Sequence, residues 1–174
     1  MSSSPIRLLA AGLSDRGKMR SVNEDSLLLD DSRRLYIVAD GMGGRKAGDV
    51  ASRLVVDTIL DEKRRADERG EAPEKESDLS LNARVLQEGI LSANEAIRKR
   101  GAENPDQRGM GSTVAAVLLD DFSVAAANVG DSAIFQIRGD AMRRLSETHT
   151  VHASQEARRR NKSVPVIIKS GDTI

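Results

Sequence analysis

LYIVADGMGG, residues 35–44, is the segment of this sequence that says most about the fold. Its first half is an apolar run rich in strand-forming residues, and its second half is a glycine cluster of the kind that ends such a run. Asp40 stands between the two halves, so the stretch predicts a strand that delivers a carboxylate to an open edge. The glycines beside Asp40 lack side chains, which lets other backbone groups and ions approach closely.

A second acidic group lies fifteen residues earlier in the chain. Asn23, Glu24 and Asp25 follow one another directly, and Arg20 precedes them. Carboxylates bind hard cations, and the planar guanidinium of an arginine binds phosphate oxygens in pairs. Together with Asp40 the pattern indicates a metal site that handles phosphate. Taken singly, each acidic group also fits an ordinary turn or a helix cap.

The composition permits an enzyme and excludes several other classes of protein. The 174 residues fit one domain, 1–174, that is large enough to bury a core. Lys plus Arg and Asp plus Glu balance at 27 each, so no net charge attracts nucleic acid or a membrane surface. There is no cysteine, which excludes disulfides, thiolate metal sites and a cysteine nucleophile. The opening residues, MSSSP, lack the pattern of a signal peptide, so we expect a cytoplasmic location.

The first half of the chain predicts strands followed by helices. Short apolar runs at residues 6–13, 26–30 and 35–39 predict three strands, and the last two form a hairpin around a polar turn. Apolar residues from Ala47 onwards recur at helical spacing and predict an amphipathic helix. The charged residues 61–78 are interpreted as a solvated helix end and a loop.

The second half predicts another helix and then mostly strands. The helix covers about 79–100 and ends at Gly101. Strands are predicted at 112–119, 122–128, 133–138 and 141–145, with a short helix at 155–160 and a last strand at 164–168. The close turns between the strands favour antiparallel meanders. The fold class is therefore α+β, an antiparallel sheet system with helices packed on it.

Two nucleotide-binding interpretations of the glycine cluster fail. A dinucleotide fingerprint starting at Gly41 needs a small third residue where Lys46 stands. A phosphate-binding P-loop starting at Gly43 needs a Gly-Lys-Ser/Thr ending, whereas the chain has Gly48-Asp49-Val50. The cluster is better explained by the carboxylate that precedes it.

The residue types point to hard divalent cations. Mg²⁺ and Mn²⁺ prefer carboxylate, carbonyl and water oxygens. Asp40 is suited to bridge two such ions, and the carbonyl of Gly41 offers a further oxygen. Two ions about 4 Å apart activate a water and hold a phosphoryl oxygen. Arg20 would then bind the remaining phosphate oxygens, and no nucleophilic side chain is needed.

Several ordered motifs resemble those of the type-2C metal-dependent protein phosphatases, especially the compact bacterial members. The stretches that carry the resemblance are SDRG at 14–17, Arg20, NED at 23–25, ADGMGG at 39–44, AG at 47–48, GMGST at 109–113, ANVGDS at 127–132 and LSETHT at 145–150. The resemblance extends from about Gly12 to Val151. It implies a fold of two antiparallel sheets packed face to face, with helices outside.

The same resemblance implies a serine/threonine phosphoprotein phosphatase with a binuclear Mn²⁺ or Mg²⁺ centre and phosphorylated proteins as substrates. Asp40 corresponds to the bridging ligand, and Gly41 to the residue that lends its carbonyl. Asp25 corresponds to a residue that holds metal-bound water, with Glu24 a weaker candidate beside it. Arg20 corresponds to the phosphate-binding arginine. Asp131 matches an acid that helps to hold a third, looser metal, although a structural role in a hairpin turn fits it equally well.

The chain departs from the family pattern in several places. Met42 stands where some members have a histidine that acts as a general acid, so the proton donor is unassigned. Arg45 replaces a common histidine and Ala133 a usual arginine. The family has two further metal-binding aspartates downstream, in Ser-Asp-Gly and Asp-Asn motifs, and this sequence ends before either. We therefore expect a C-terminally truncated form of the family domain, which leaves the activity of the chain open.

Two functions of different classes follow from this. One is metal-dependent hydrolysis of phosphoserine and phosphothreonine in proteins. The other is a pseudophosphatase that binds a phosphoprotein or kinase partner without catalysis, which the missing aspartates motivate. His149 and His152 are expected to be solvated or locally hydrogen-bonded, and Gly109 and Gly111 to serve backbone conformation.

Overall fold

The computed structural model describes residues 7–43, 47–70, 79–121 and 123–148, together with the backbone of 167–173. In chain order the elements are β1 (Asp25–Asp30), β2 (Leu35–Met42), α1 (Ala47–Arg69), α2 (Leu81–Glu103), a 3₁₀ turn (Pro105–Gln107), β3 (Gly111–Ser112), β4 (Val114–Leu119), β5 (Ser123–Val129), β6 (Phe135–Arg138), β7 (Ala141–Arg144) and β8 (Ile167–Thr173). Antiparallel strands and packed helices confirm the predicted α+β class.

The main sheet has six antiparallel strands in the order β1-β2-β4-β5-β8, with β3 beside the end of β2. A second sheet, within the described residues, consists of the β6–β7 hairpin. The predicted hairpin of β1 and β2 is confirmed, and β2 continues past Ala39 through Asp40 and Gly41 to Met42. This extension matters because the carboxylate of Asp40 is thereby placed on a strand instead of in a loop.

One face of the main sheet forms the core with the two helices. Alternate residues of β2 and β4 are buried, as expected for a strand with one covered face. Leu35, Ile37 and Leu118 are almost completely inaccessible, and they pack with Ile59 of α1 and Leu86 of α2. The other face carries the exposed side chains of β1 and β2, and Asp25 and Asp40 belong to that face.

Helix α1 is longer than the sequence analysis predicted. Residues 61–69, interpreted above as part of a solvated helix end and loop, continue the helix to Arg69. Ion pairs one turn apart support this segment: Arg64 Nη1 lies 3.1 Å from Asp61 Oδ1, and Lys63 pairs with Asp67. Glu62 is buried and lies 2.9 Å from Arg69, so charged residues at this end pack on one another.

Helix α2 begins with a capping side chain. Ser80 accepts a hydrogen bond from the Ala83 N–H at 3.2 Å, which satisfies one of the free donors of the first turn. The helix continues through Gly101 to Glu103, two residues past the predicted end. Asn104 ends it, with its backbone N–H bonded to the Arg100 carbonyl.

The predicted strands of the second half are present, but the meander is interrupted. Strands β4 and β5 pair, and β6 pairs with β7, whereas β5 pairs with β8 and not with β6. The turn after β5 leads the chain off the main sheet at Gly130, which has a positive φ of 100°. The predicted last strand, 164–168, overlaps β8 at residues 167 and 168, and β8 continues to Thr173. Residues 164–166 and the helix predicted at 155–160 lie outside the described residues.

The strand predicted at residues 6–13 is wrong for residues 7–13, which are irregular. This segment lies over the exposed sheet face instead of beside an edge. A side chain at Gly12 would come within 3.1 Å of Leu29 and 3.3 Å of Leu27, so the backbone at Gly12 lies against these two side chains. Residues 7–13 form no ladder with β1. None of the helices in the described part of the chain combines the length and the apolar character needed to cross a membrane.

Candidate metal and phosphate site

The β1–β2 hairpin brings the two predicted acidic groups together. Asp25 and Asp40 are direct partners in the antiparallel register. Side chains of directly paired residues project from the same face of a sheet, with Cβ atoms about 5 Å apart. Both carboxylates are exposed on the face that the helices leave open. The pairing that the sequence analysis inferred from motif spacing is therefore a property of the strand register.

Negative charge accumulates around Asp40. Although Asp40 is exposed, partial desolvation by its neighbours raises the pKa of its carboxyl from the ordinary value, and the Asp25 carboxylate raises it further. Asp131 and Glu24 act in the same direction, whereas Arg20 lowers the pKa of Asp40. All five predicted or candidate residues thus lie within one electrostatic neighbourhood. Like charges placed this close are a cost in the fold that a bound cation would relieve.

A set of hydrogen bonds fixes the start of β1. The Asp25 N–H donates to Asn23 Oδ1 at 3.1 Å, which closes a local turn just before the strand. Ser14 Oγ donates to Asp25 Oδ2 at 3.3 Å, and Asn23 Nδ2 donates to Ser14 Oγ at 2.8 Å. The Asp25 carboxylate is thereby oriented by the loop in front of it, and its other oxygen is left for a ligand.

Arg20 lies at the rim of this site. Its Nη1 donates to Glu24 Oε2 at 2.9 Å, and its side chain is 69 % exposed, against 15 % for Glu24. An exposed guanidinium tethered by one nitrogen keeps further N–H donors available to solvent or to a ligand. The structure therefore brings Arg20 to the acidic group but pairs it with the carboxylate that the sequence analysis ranked second.

The chain segments at Glu24, Gly41 and Gly48 lie very close to one another next to Asp40. A Cβ on Gly41 would lie 1.9 Å from the Gly48 carbonyl oxygen, and a Cβ on Gly48 would lie 2.6 Å from Glu24 Oε1 and 2.8 Å from the Gly41 carbonyl oxygen. Only glycine fits at both positions without displacing backbone. The Gly41 N–H donates to the Glu24 carbonyl at 3.1 Å. The start of α1 therefore sets where the Gly41 carbonyl lies.

Thr113 and Ser132 also contribute to the site, in a role that the sequence alone did not predict. Thr113 Oγ1 accepts a hydrogen bond from the Asp40 N–H at 3.0 Å and lies 2.7 Å from Ser132 Oγ. The signal was present, because both residues belong to quoted motifs, GMGST and ANVGDS. Gly109, in the first of these, has a positive φ of 80°, which confirms its expected conformational role.

The donor set fits a hard divalent cation. Asp25 and Asp40 offer carboxylate oxygens side by side, the Gly41 carbonyl lies beside Asp40, and the uncompensated negative charge favours a cation. The described part of the chain contains no group of three or more His, Cys, Asp or Glu residues placed to hold a metal ion. Side chains described here would therefore supply part of a coordination shell and water the rest.

Some predicted positions cannot be placed. Gly44, Arg45, His149 and His152 lie outside the described residues. Met42, where some family members have a histidine, ends β2 and is 64 % exposed. It offers no proton, so the structure supplies no general acid at that position.

Comparisons with known proteins agree with these motifs. The sequence model of the family described as Protein phosphatase 2C matches residues 16–165. The chain is 36 % identical over 140 residues to Serine/threonine phosphatase stp of Listeria innocua, covering 79 % of this chain and 53 % of that protein. It is 34 % identical over 142 residues to Serine/threonine protein phosphatase PstP of Mycobacterium tuberculosis, covering 80 % of this chain and 25 % of that protein. The chain thus spans about half the length of stp.

Solved structures show the same relationship. The serine/threonine phosphatase PstP/Ppp of Mycobacterium tuberculosis superposes with a TM-score of 0.69 at 25 % identity, covering 90 % of this chain and 70 % of that one. The catalytic domain of PstP in complex with 2 manganese ions superposes with a TM-score of 0.66 at 26 % identity, covering 92 % of this chain and 67 % of that one.

Proposed function

Since the chain belongs to the protein phosphatase 2C family, we propose that it acts in the metal-dependent hydrolysis of phosphoserine and phosphothreonine in proteins. The observation that carries the proposal is the register pairing of Asp25 with Asp40, with Gly41 next in the strand and Arg20 at the rim. Its substrates would be phosphorylated proteins, the targets of a serine/threonine kinase. The protein would act in signal transduction, and we propose a cytoplasmic location.

Different residues of the site would bind the cations and the substrate. Asp25, Asp40 and the Gly41 carbonyl would hold Mn²⁺ or Mg²⁺, as a binuclear centre, and Asp131 would help to hold a third, looser ion. When bound, such cations polarise a phosphate ester and lower the pKa of water, so that water attacks phosphorus at neutral pH. The manganese ions in the PstP catalytic domain support this assignment.

Arg20 would bind the phosphate group of the substrate. Its guanidinium is exposed, and one nitrogen already donates to Glu24, which limits where the planar fork can point. Two parallel N–H donors match two phosphate oxygens, and a charge-assisted pair of this kind is stronger than a neutral hydrogen bond. Arg20 and Asp40 are thus the residues on which catalysis would depend most directly.

The test is release of inorganic phosphate from a phosphothreonine peptide at millimolar Mn²⁺. We expect turnover that Asp40→Asn abolishes and that Arg20→Ala weakens mainly through a higher KM. The control is Arg53→Ala, which also removes one positive charge but lies on the exposed side of α1, away from the site. Turnover that is unaffected by Asp40→Asn would reject this mechanism.

A second candidate is a non-catalytic phosphoprotein- or kinase-binding module. The observation that favours it is the absence, within the described residues, of a group of three or more metal-binding side chains. In this case the chain would retain a phosphopeptide without hydrolysing it, and Arg20→Ala would weaken the binding. Absence of phosphopeptide binding at any Mn²⁺ concentration would reject this candidate.

A further inference from the structure

Asp40 pairs with β1 on one side, and its strand pairing on the other side is irregular. Strands β2 and β3 pair Gly41 with Ser112, and β2 and β4 pair Val38 with Ala115, in one continuous register. Thr113 therefore stands opposite Asp40 on the side away from Asp25. The ladder is interrupted at this position, between the end of β3 and the start of β4.

The side chain of Thr113 takes the place of a ladder bond. The Thr113 N–H donates to the Asp40 carbonyl at 2.9 Å, as in a regular antiparallel pair. The return bond differs, because the Asp40 N–H donates to Thr113 Oγ1 at 3.0 Å instead of to a backbone carbonyl. The Thr113 carbonyl accepts from Ser112 Oγ at 2.9 Å. The backbone of Asp40 is thus positioned through a hydroxyl group.

The same side chain contacts the turn that carries Asp131 on both sides. Thr113 Oγ1 lies 2.7 Å from Ser132 Oγ, directly after Asp131. A Cβ on Gly130, directly before Asp131, would lie 2.8 Å from Thr113 Cγ2, so the glycine rests against the threonine methyl group. The hydroxyl and the methyl group of one threonine therefore support the two neighbours of Asp131.

A buried side-chain amide also holds the turn at 130–132 in place. Asn128 is 1 % exposed, and its Nδ2 donates to the Ser132 carbonyl at 2.7 Å and to the Val114 carbonyl at 3.3 Å. Val114 follows Thr113 in the chain, so the amide joins the same two segments that the threonine joins. The turn at 130–132 has little freedom to move relative to β4.

From this geometry we infer that Thr113 is a positioning residue, which couples the location of Asp40 to that of Asp131 through Ser132. The inference deepens the proposed function and rests on it, since it assumes that Asp40 serves the binuclear centre and Asp131 the third, looser ion beside it. Valine keeps the shape of threonine but removes the acceptor of the Asp40 N–H and the partner of Ser132. Serine keeps the hydroxyl and loses only the methyl contact with Gly130. The two substitutions therefore separate the hydrogen bonds from the packing.

The experiment measures Mn²⁺ affinity by calorimetry and, on metal-free portions of the same preparations, hydrogen exchange of the Asp40 amide by NMR. Loss of a residue that orients a metal ligand costs about 10- to 100-fold in affinity. We expect a loss of at least about 10-fold for Thr113→Val and a smaller loss for Ser132→Ala, with near-recovery in Thr113→Ser. Exchange of the Asp40 amide should accelerate in Thr113→Val alone, because only this variant removes its acceptor. Thr58→Val, in α1, controls for the exchange of residue type.

The outcomes separate the inference from the proposed function. Unchanged Mn²⁺ affinity in Thr113→Val overturns the inference and leaves the function intact. If the folded wild type takes up no Mn²⁺, the proposed function fails. Exchange of the Asp40 amide in Thr113→Val then still decides whether Thr113 Oγ1 holds the Asp40 N–H. Should Thr113→Val fail to fold, Ser132→Ala gives the decision, since equal Mn²⁺ affinity in that variant would remove the coupling to Asp131.

Discussion

Gly48 is the position at which a single methyl group tests the site most sharply. Its Cβ would lie 2.8 Å from the Gly41 carbonyl oxygen, about 0.6 Å short of the 3.4 Å at which ordinary contact begins. It would also lie 2.6 Å from Glu24 Oε1, the end of a flexible side chain. Gly48→Ala therefore moves Glu24 easily and the Gly41 carbonyl only at a cost.

The expected cost can be estimated from two opposing effects. Inserting a methyl group into a tightly packed place destabilises a fold by about 1–3 kcal/mol. Replacing glycine by alanine in a helix returns up to about 1 kcal/mol. We expect Gly48→Ala to lower the free energy of unfolding by about 1–2 kcal/mol. Because a ligand displaced by more than about 0.5 Å no longer meets its ion, Mn²⁺ affinity should fall at least about 10-fold.

The assay is urea unfolding followed by circular dichroism, with calorimetric Mn²⁺ titration of the same preparations. The double variant Gly48→Ala/Glu24→Ala removes the contact with Glu24 and leaves the contact with the Gly41 carbonyl. It should regain part of the stability but none of the Mn²⁺ affinity. A Gly48→Ala protein that is as stable as the wild type and binds Mn²⁺ equally well would show that the start of α1 does not position the Gly41 carbonyl.

Two further predictions concern charge. The pKa of Asp40 is raised in the fold, so ionisation of this carboxyl lowers the stability of the protein. Asp40→Asn should therefore stabilise the metal-free protein at pH 7 by about 0.2–1 kcal/mol, which is the scale of a cross-strand charge pair. Urea unfolding should show that this gain vanishes as the pH falls below the pKa of Asp40. A gain that persists at low pH would contradict this assignment. The Asp30 pKa is lowered from 3.8 to about 2, first by the Ser32 hydroxyl and then by Arg33. Asp30→Asn should therefore lower the free energy of unfolding by at most about 2 kcal/mol above pH 4, and the difference from the wild type should disappear as the pH falls through about 2. The control is Asp57→Asn at an exposed position, and an equal loss of stability in this variant would refute the role given to Ser32 and Arg33.

The hairpin and its two carboxylates were predictable because their signals are local. Asp25 and Asp40 are fifteen positions apart, and one polar turn between two apolar runs sets their register. Because Asp25 and Asp40 are then direct register partners, their side chains lie on one face of the sheet. No long-range information is needed for this part of the site.

Other parts depend on side-chain contacts, some of them between distant segments, which a single sequence does not display. The extension of α1 to Arg69 relies on side-chain pairs within a stretch whose composition resembles a loop. The bond between Thr113 and Asp40 joins residues 73 positions apart, and that between Thr113 and Ser132 joins two motifs. The motifs identified these residues as notable, but only the fold gives them a role.

The decisive measurement is calorimetric titration of Mn²⁺ into the folded wild type and into Asp40→Asn. We expect uptake by the wild type and none by the variant, which replaces one carboxylate oxygen by an amide nitrogen and keeps the native circular dichroism spectrum. Equal uptake by both proteins, or none by a wild type that is demonstrably folded, would contradict the assignment of Asp25, Asp40 and the Gly41 carbonyl to a cation site.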